Sequence, residues 1–437
     1  MNPTDLTTAS ATKLAEIIRT GQVTSETVVR AHLERIAAVN PSLNAVVQLL
    51  ADAALEEARR ADQRLARGTV LGPLHGVPFT VKDWLETAGV VCTAGDERYR
   101  RHVPKEDATA VARLRAAGAV LLGKTNVMAQ NPVYGRTHNP YKLGYSPAGS
   151  SSGEAALIAA GGSPLGLGSD SGGSIRQPAH NCGIAGLKPT TGRVPLTGHL
   201  PRISAMNDPR TAVGPMARFV EDLALALPIL SGPDWRDASA LPVPLGDPLE
   251  VTLPELRVAV YTEHEGASPT PETAAAVRRA AEALAGAGLD VEERIPPRVE
   301  EAYAITRDYW RRPESESWER WEPDGEATLS SEAVERHLFA WDRLRRALIG
   351  FMARFDVILT PAAERPAAPH GEPEGGIPYT LPYSLTGYPC AVVRAGTSPE
   401  GLPIGVQVVA RPWRDDVALA VAYELQRALG GWRPPPL

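Results

Sequence analysis

The segment from Gly144 to Ser174 constrains the fold of this 437-residue chain most strongly, because 17 of its 31 residues are glycine or serine. A flexible linker can have this composition. However, the helical run AALIAA at 155–160 and the apolar run PLGLG at 164–168 interrupt it, and IRQPA follows directly. We therefore predict structured loops that alternate with buried elements, and not a linker.

Outside this segment, helical and extended patterns alternate. Apolar residues recur at helical spacing over residues 26–39 and 51–66. A helical pattern over 108–117 is followed by a glycine and a buried apolar run at 119–122, and the same order returns over 274–291. Helices that alternate with buried strands predict an α/β fold, with a central mixed β-sheet surrounded by α-helices.

Three residues in these segments have the chemistry that acyl transfer requires. Ser174 follows a pair of glycines, where successive backbone N–H groups can converge on an oxyanion. Lys82 lies in the apolar run GVPFTVKD, a setting that lowers the pKa of a lysine and frees its lone pair. The chain has only six lysines among its 45 Lys and Arg residues, and arginine cannot serve as a base. We predict a nucleophile at Ser174, a base at Lys82 and a proton relay at Ser150; alternatively, Lys82 ends a strand and pairs with Asp83.

Two other sequence patterns point to different functions, and both are rejected. GAVLLGKT at 118–125 matches the phosphate-binding pattern G-x-x-x-x-G-K-[ST], but its four middle residues favour a buried strand. Residues 149–153 match G-x-S-x-G with Ser151 as nucleophile, but no strong apolar strand leads into them. The base would have to be one of three unmarked histidines, His180, His199 or His370. A metal site at His180 and Cys182 lacks a second pair of ligands.

The catalytic segments resemble the amidase signature family of serine hydrolases, and the resemblance covers nearly the whole chain. It implies that Ser174 is the nucleophile, that Ser150 follows a cis peptide bond and relays protons, and that Lys82 is the base. It also implies an oxyanion hole made by four consecutive backbone N–H groups, those of Ser171, Gly172, Gly173 and Ser174. Asp170 and Arg176 match family positions that brace the nucleophile loop.

Within that family, NPVYGRTHNP at 131–140 and GEAALIAAGGSPLGLGSDSGGSIR at 153–176 are similar to the branch of fatty-acid amide hydrolases and related bacterial amidases. The A chain of glutaminyl-tRNA amidotransferase is a more distant resemblance, although Gln177 agrees with it. The stretch 126–131, which helps to line the substrate pocket in that branch, is shorter here. We expect four residues to contact the substrate: Trp84, Asn126, Met128 and Gln177. A group of four tryptophans either walls an apolar pocket or packs a helical insert: Trp310, Trp318, Trp321 and Trp341.

Composition restricts the partners and the compartment. The net charge of −6 argues against nucleic acid as a partner, and three widely spaced cysteines predict a reducing compartment without disulfides. The N-terminal sequence MNPTDLTTAS is polar, and no apolar run approaches about 18 residues. We therefore predict a cytoplasmic protein without a signal peptide or membrane anchor. No metal or cofactor is expected, and a homodimer is compatible with the sequence.

We predict a single amidase domain over residues 1–437. Residues 203–330 are polar and punctuated by prolines, which predicts a variable insert near the active site. The other parts are an N-terminal helical layer, a catalytic signature core and a C-terminal part of the core, at 1–66, 67–200 and 350–437.

The resemblance predicts an amidase that cleaves a carboxylic amide C–N bond through a Ser–cis-Ser–Lys triad and an acyl-enzyme intermediate. The uncharged Gln177 and the tryptophans favour a neutral, apolar acyl or aryl amide as the small-molecule substrate. Two alternatives stay open. One is a glutamine-hydrolysing amidotransferase A-like subunit, which would need a partner protein. The other is a non-catalytic family member that only binds its ligand.

Overall fold

The computed structural model describes residues 3–203, 208–309 and 329–437. In these ranges the α-helices are α1 (Pro3–Thr8), α2 (Ala11–Arg19), α3 (Ser25–Leu43), α4 (Ala51–Ala66), α5 (Thr109–Ala116), α6 (Ser152–Ala159), α7 (Arg176–Cys182), α8 (Val220–Leu230), α9 (Pro271–Gly286), α10 (Ala302–Tyr309), α11 (Ser331–Met352), α12 (Ile377–Leu385) and α13 (Asp415–Leu429). The strands are β1 (Val46–Leu49), β2 (Pro78–Lys82), β3 (Val120–Thr125), β4 (Gln130–Asn131), β5 (Gly135–Arg136), β6 (Leu165–Asp170), β7 (Ala185–Lys188), β8 (Ala212–Ala217), β9 (Arg257–Val260), β10 (Asp290–Glu293), β11 (Val357–Pro361), β12 (Cys390–Thr397) and β13 (Pro403–Ala410). The two predicted N-terminal helices are α3 and α4, and the predicted helix–glycine–strand units are α5 with β3 and α9 with β10. Among the described helices, none has both the length and the apolar character to cross a bilayer.

The predicted mixed sheet is confirmed. Within the described ranges, eleven strands form one sheet in the order β1-β3-β2-β6-β8-β7-β12-β13-β11-β9-β10. β2 runs parallel to β3 and β6, and β9 runs parallel to β10 and β11. The other neighbours in this sheet are antiparallel.

Helices cover both faces of the sheet. Successive side chains of a strand point to opposite faces, so in β3 Leu121 joins one hydrophobic cluster while Val120 and Leu122 join another. The first cluster includes residues of α2, α5, α8, α9 and α13, and the second includes residues of α3, α4, α6 and α7. The strand ends and the loops that follow them are therefore held between two helical layers.

A third hydrophobic cluster, which includes residues of α10, α11 and α12, accounts for Trp341. This residue is 5% exposed, and its ring meets that of Tyr309 edge to face with centroids 6.0 Å apart. Its indole N–H donates a hydrogen bond to the carbonyl of Leu385 at 2.7 Å. Trp341 thus packs helices together, which favours the second interpretation of the tryptophan group. Trp310, Trp318 and Trp321 lie outside the described residues.

The predicted insert at 203–330 needs a correction, because three of its described strands, β8, β9 and β10, belong to the main sheet. β8 lies between β6 and β7 in the sheet, and α8 packs against it. Residues 212–230 therefore belong to the sheet and its helical cover. The sequence conceals this strand because β8 contains Gly214 and Pro215, two residue types that are depleted in strand interiors.

Candidate active site

The candidate site lies where two neighbouring parallel strands end. Lys82 is the last residue of β2, and Ser169 is the next to last of β6. Loops that follow parallel strands meet at the carboxyl edge of a sheet. The loop after β6 carries Ser174, and Ser150 lies just before α6. The sheet therefore brings together three segments that are far apart in sequence.

Lys82 faces the serines. Its Nζ lies 2.6 Å from Ser150 Oγ, 3.0 Å from Ser169 Oγ and 3.2 Å from the Ser169 carbonyl oxygen. Asp83 instead pairs with Lys124 at 3.1 Å, and both of these side chains are buried. The alternative interpretation, in which Lys82 pairs with Asp83, is therefore wrong.

The surroundings of Lys82 act on its protonation in opposite directions, and burial has the largest effect. The side chain is completely buried, and this burial lowers the pKa of Lys82 well below its ordinary value, while the nearby carboxyl groups of Asp170 and Glu154 act in the opposite direction. The ring of Trp84 covers Nζ, with its centroid 3.9 Å away. The indole N–H of Trp84 donates to the carbonyl of Ala94 at 3.0 Å, which fixes the ring in this position.

The Gly149–Ser150 peptide bond is cis, as the family resemblance implies. The Ser150 carbonyl accepts a hydrogen bond from the N–H of Met128 at 2.9 Å. A Cβ atom on Gly149 would lie 3.2 Å from the backbone nitrogen of Ala129. The turn that carries Ser150 is therefore packed against the short stretch 126–131.

Asp170 organises the loop that carries Ser174. Its carboxylate accepts hydrogen bonds from the backbone N–H groups of Gly173 at 2.7 Å and Ile175 at 3.1 Å. Arg176 donates to both of its oxygens, at 2.9 and 2.8 Å. Burial alone would raise the pKa of Asp170, but the charge and hydrogen bonds of Arg176 hold that pKa well below its usual range. This is the geometry that the predicted bracing pair requires.

One predicted oxyanion donor is wrong. Because the N–H of Gly173 is directed at Asp170, it is not available to a substrate oxyanion. The N–H groups of Ser171, Gly172 and Ser174 remain as candidates. Gly173 itself has φ of +131°, and a Cβ there would lie 2.5 Å from Gln177 Nε2. Glycine is therefore required for the shape of this turn, and the sequence does not indicate which way each N–H points.

A cavity of about 580 Å³ is lined by both Ser150 and Ser174. Three of the four residues predicted to contact substrate also line it: Trp84, Met128 and Gln177. The cavity wall is not uniformly apolar, because it includes three charged residues: Asp208, Arg210 and Glu374. The apolar pocket expected from the sequence is thus present only in part.

Asn126 does not contact the cavity. Its side chain is 0% exposed, accepts a hydrogen bond from Asn131 Nδ2 at 2.8 Å and donates one to the carbonyl of Asn44 at 3.2 Å. The prediction of a substrate contact is corrected here, since Asn126 ties the segment after β3 to the N-terminal helices.

His199 is a site residue that the sequence did not reveal. Its Nδ1 lies 2.9 Å from the carbonyl oxygen of Pro201, and its Nε2 lies 2.9 Å from Ser169 Oγ. Burial lowers the pKa of His199 to about 4. The ring is therefore neutral near pH 7, with the proton on Nδ1, because a carbonyl can only accept. No local sequence pattern marks this histidine, because it approaches Lys82 through Ser169 and through the ring of Trp84, which it meets edge to face with centroids 5.7 Å apart.

The rejected sequence patterns have structural explanations. Residues 120–125 form β3, and Lys124 is fully buried there, so this segment is not a phosphate-binding loop. Ser151 is fully buried at the start of α6. His180 Nδ1 accepts a hydrogen bond from the N–H of Gly405 at 3.0 Å, and its Nε2 donates one to the carbonyl of Arg365 at 2.9 Å. In the described part of the chain, no three His, Cys, Asp or Glu side chains are grouped to hold a metal ion.

Comparisons with known proteins show the family and the fold. The family model described as Amidase matches residues 27–419. The A chain of the glutamyl-tRNA(Gln) amidotransferase of Moorella thermoacetica is 33% identical, over 96% of each chain. Among solved structures, a fatty acid amide hydrolase superimposes with a TM-score of 0.86 at 26% identity, covering 98% of this chain and 86% of the other. The peptide amidase of Stenotrophomonas maltophilia gives 0.83 at 28% identity, covering 98% of each.

These values correct one expectation from the sequence. The amidotransferase chain is not the more distant likeness, because its identity to this protein exceeds that of the fatty acid amide hydrolase. The sequence prediction is based on the segments at 131–140 and 153–176, which are similar to the hydrolases. The identity value instead counts every aligned position of the chain.

Proposed function

Since this chain belongs to the amidase family, whose enzymes act on amide C–N bonds, we propose that it hydrolyses a carboxylic amide with Ser174 as nucleophile, Ser150 as relay and Lys82 as base. The observation that carries this proposal is the 2.6 Å contact between the buried Lys82 Nζ and Ser150 Oγ, beside a cavity that Ser174 also lines. A serine nucleophile needs an adjacent base, and a buried lysine can supply one.

The hydrogen bonds around Lys82 suit a neutral amine. Such a group has two N–H donors and one lone pair. Ser169 can accept both donors, through its carbonyl and its hydroxyl oxygen, because its own hydroxyl proton is directed to His199. The lone pair of Lys82 is then left for the hydroxyl proton of Ser150. In this arrangement His199 is a positioning residue that acts through Ser169.

The reaction follows from this arrangement. Lys82 takes the proton of Ser150 while Ser150 takes that of Ser174, and Ser174 Oγ bonds to the amide carbonyl carbon. The oxyanion accepts hydrogen bonds from the remaining backbone N–H groups of the loop. The proton returns through Ser150 to the leaving nitrogen, the C–N bond breaks, and an acyl-enzyme forms. Water, activated by the same base, then releases the acid and restores Ser174.

A fluorophosphonate probe, which reacts with activated serines, tests the assignment. Wild-type protein should be labelled at Ser174, and Ser174→Ala should lose labelling and amide hydrolysis together. Ser151→Ala is the matched control, and this variant should still be labelled at Ser174. A label that persists in folded Ser174→Ala and maps to Ser151 would refute the nucleophile. A folded wild-type protein that is never labelled would favour the non-catalytic alternative.

A second candidate is a glutamine-hydrolysing A-like subunit, favoured by the 33% identity to an amidotransferase chain over 96% of both proteins. Ammonia release from L-glutamine should be compared with turnover of neutral amides of increasing acyl length. Each buried methylene contributes about 0.8 kcal/mol, so a rise in kcat/KM with acyl length supports the apolar amidase. Preferential hydrolysis of glutamine, together with co-purification of other subunits, supports the A-like subunit.

A further inference from the structure

Glu374 is a carboxylate in the wall of the catalytic cavity to which the proposed mechanism assigns no role. It is half-buried and precedes α12, and it lines the same cavity as Ser150 and Ser174. One of its oxygens accepts a hydrogen bond from the hydroxyl of Ser146. Ser146 Oγ also accepts from the N–H of Ala148 at 3.0 Å. Glu374 is therefore attached to the turn that leads into Ser150.

The charges of the described cavity wall do not cancel. Arg210 and Asp208 neutralise each other through two hydrogen bonds of 2.8 and 2.9 Å. Lys82 is neutral in the proposed mechanism. Among the described residues, no Lys, Arg or His side chain forms an ion pair with Glu374. Glu374 is thus a carboxyl group without a charged partner in the described part of the wall, in the same cavity as Ser174.

An uncompensated carboxylate in a partly desolvated wall favours a ligand of opposite charge. Burial raises the pKa of Glu374, and the hydrogen bond from Ser146 only partly opposes this effect. A positively charged group beside the carboxylate would lower that pKa again, because it stabilises the ionised form. The missing charge partner is therefore one that a substrate can provide.

We propose that the substrate is an amide that carries a cationic nitrogen group, such as a protonated amine, and that Glu374 binds this group. The inference rests on the proposed function, because it places the scissile amide at Ser174. It replaces the neutral, apolar substrate that the sequence suggested. A carboxylate selects its ligand by charge. The preference for a cationic amide over a neutral one should therefore disappear when Glu374 is made neutral.

Matched pairs of amides provide the test. In the first pair, the acyl part ends in an ammonium group in one amide and in a methyl group in the other, at the same chain length. In the second pair, the leaving amine rather than the acyl part ends in an ammonium group or a methyl group. Affinity is measured by calorimetry on Ser174→Ala protein, which does not turn substrate over, and kcat/KM is measured on the wild type. In one pair the cationic member should bind at least about fivefold more tightly, as expected for a charge-assisted contact at a partly exposed site. The pair that responds identifies which side of the scissile bond lies beside Glu374.

Glu374→Gln, added to Ser174→Ala, should reduce that preference to near one, and Glu374→Asp should retain part of it. Glu372→Gln is the matched control, because Glu372 is an exposed carboxylate in the same loop that is 3.8 Å from Arg365 and does not line the cavity. It should retain the full preference. Raising the ionic strength should weaken the preference in protein that keeps Glu374, which tests the inference even if Glu374→Gln does not fold.

No preference for the cationic member in either pair, or a preference that survives in folded Glu374→Gln, overturns the inference. Failure of the proposed function gives a different result. In that case the wild type neither reacts with the fluorophosphonate probe nor hydrolyses either pair, while calorimetry still decides whether Glu374 binds a cation.

Discussion

His199 Nε2 lies 2.9 Å from Ser169 Oγ, and that oxygen lies 3.0 Å from Lys82 Nζ. Because the hydroxyl proton of Ser169 points to the histidine, the oxygen is left to accept from the lysine. In the proposed mechanism, His199 therefore controls through Ser169 where the lone pair of Lys82 points.

Replacing His199 should impair catalysis without weakening substrate binding. His199→Leu removes the acceptor for Ser169, so its hydroxyl proton can turn to Lys82 and compete with Ser150 for the lone pair. We expect kcat to fall about tenfold, less than the roughly 10²-fold that loss of a general base costs, with KM unchanged. His199→Gln, whose amide oxygen can accept in place of Nε2, should recover most of the rate. Equal losses in both folded variants would mean that the ring only fills space.

The base itself can be tested by Lys82→Arg. Arginine keeps the positive charge but has no lone pair at working pH, so we expect a loss of at least about 10²-fold in kcat/KM. In the wild type, only deprotonated Lys82 is active. Activity should therefore be full above the pKa of Lys82 and decline as the pH falls through it, and this pKa is lower than that of an ordinary lysine because of burial. Lys142→Arg, away from the cavity, is the control; near-normal turnover by folded Lys82→Arg would show that Lys82 is structural.

Gly173→Ala should disable the nucleophile loop. A Cβ at this position would lie 2.5 Å from Gln177 Nε2 and 2.7 Å from Thr380 Oγ1, at a φ of +131° that other residues rarely adopt. The strain, on the order of 1–3 kcal/mol, displaces the loop and with it Ser174. We expect the rate of probe labelling to fall at least about tenfold. Gly144→Ala, in the same Gly/Ser-rich segment but with no atom within 4 Å of its added Cβ, should label at the wild-type rate.

Glu154 should make stability depend on pH. Its buried carboxyl accepts hydrogen bonds from Thr80 and Thr125, and burial raises its pKa to about 7. Because the folded pKa exceeds the unfolded one, the contribution of this group to stability is complete below the unfolded pKa and is lost as the pH rises through about 7. Glu154→Gln stays neutral. The free energy of unfolding, measured in urea at about pH 5 and about pH 8, should therefore fall by about 2–3 kcal/mol more in the wild type than in Glu154→Gln. If wild type and variant differ by the same free energy at both pH values, the assignment is contradicted.

The sequence predicts what local patterns encode. Apolar periodicity identified α3, α4 and the units formed by α5 with β3 and α9 with β10. The residues of the proposed triad stand out because each lies in a segment with an unusual composition. Three corrections concern contacts between segments that are distant in sequence: the hydrogen bond from Asn126 to Asn44, the link from His199 to Ser169, and the pairing of β8 with β6. The N–H of Gly173 is directed at Asp170, only three residues away, but its direction depends on backbone torsion angles that composition does not encode.

The order of strands in the sheet has a consequence for protein synthesis. β12 and β13, which follow the other described strands in sequence, join β7 on one side to β11 on the other. Before they emerge, the nascent chain can form only two separate partial sheets with open edges. Gln407 in β13 also accepts a hydrogen bond from Arg176 at 2.8 Å, so the brace of the nucleophile loop is complete only after β13 has been synthesised. A polypeptide released before β13 would contain every residue of the proposed triad without the strand that supports it, and we expect hydrolytic activity to appear only after β13 has emerged from the ribosome.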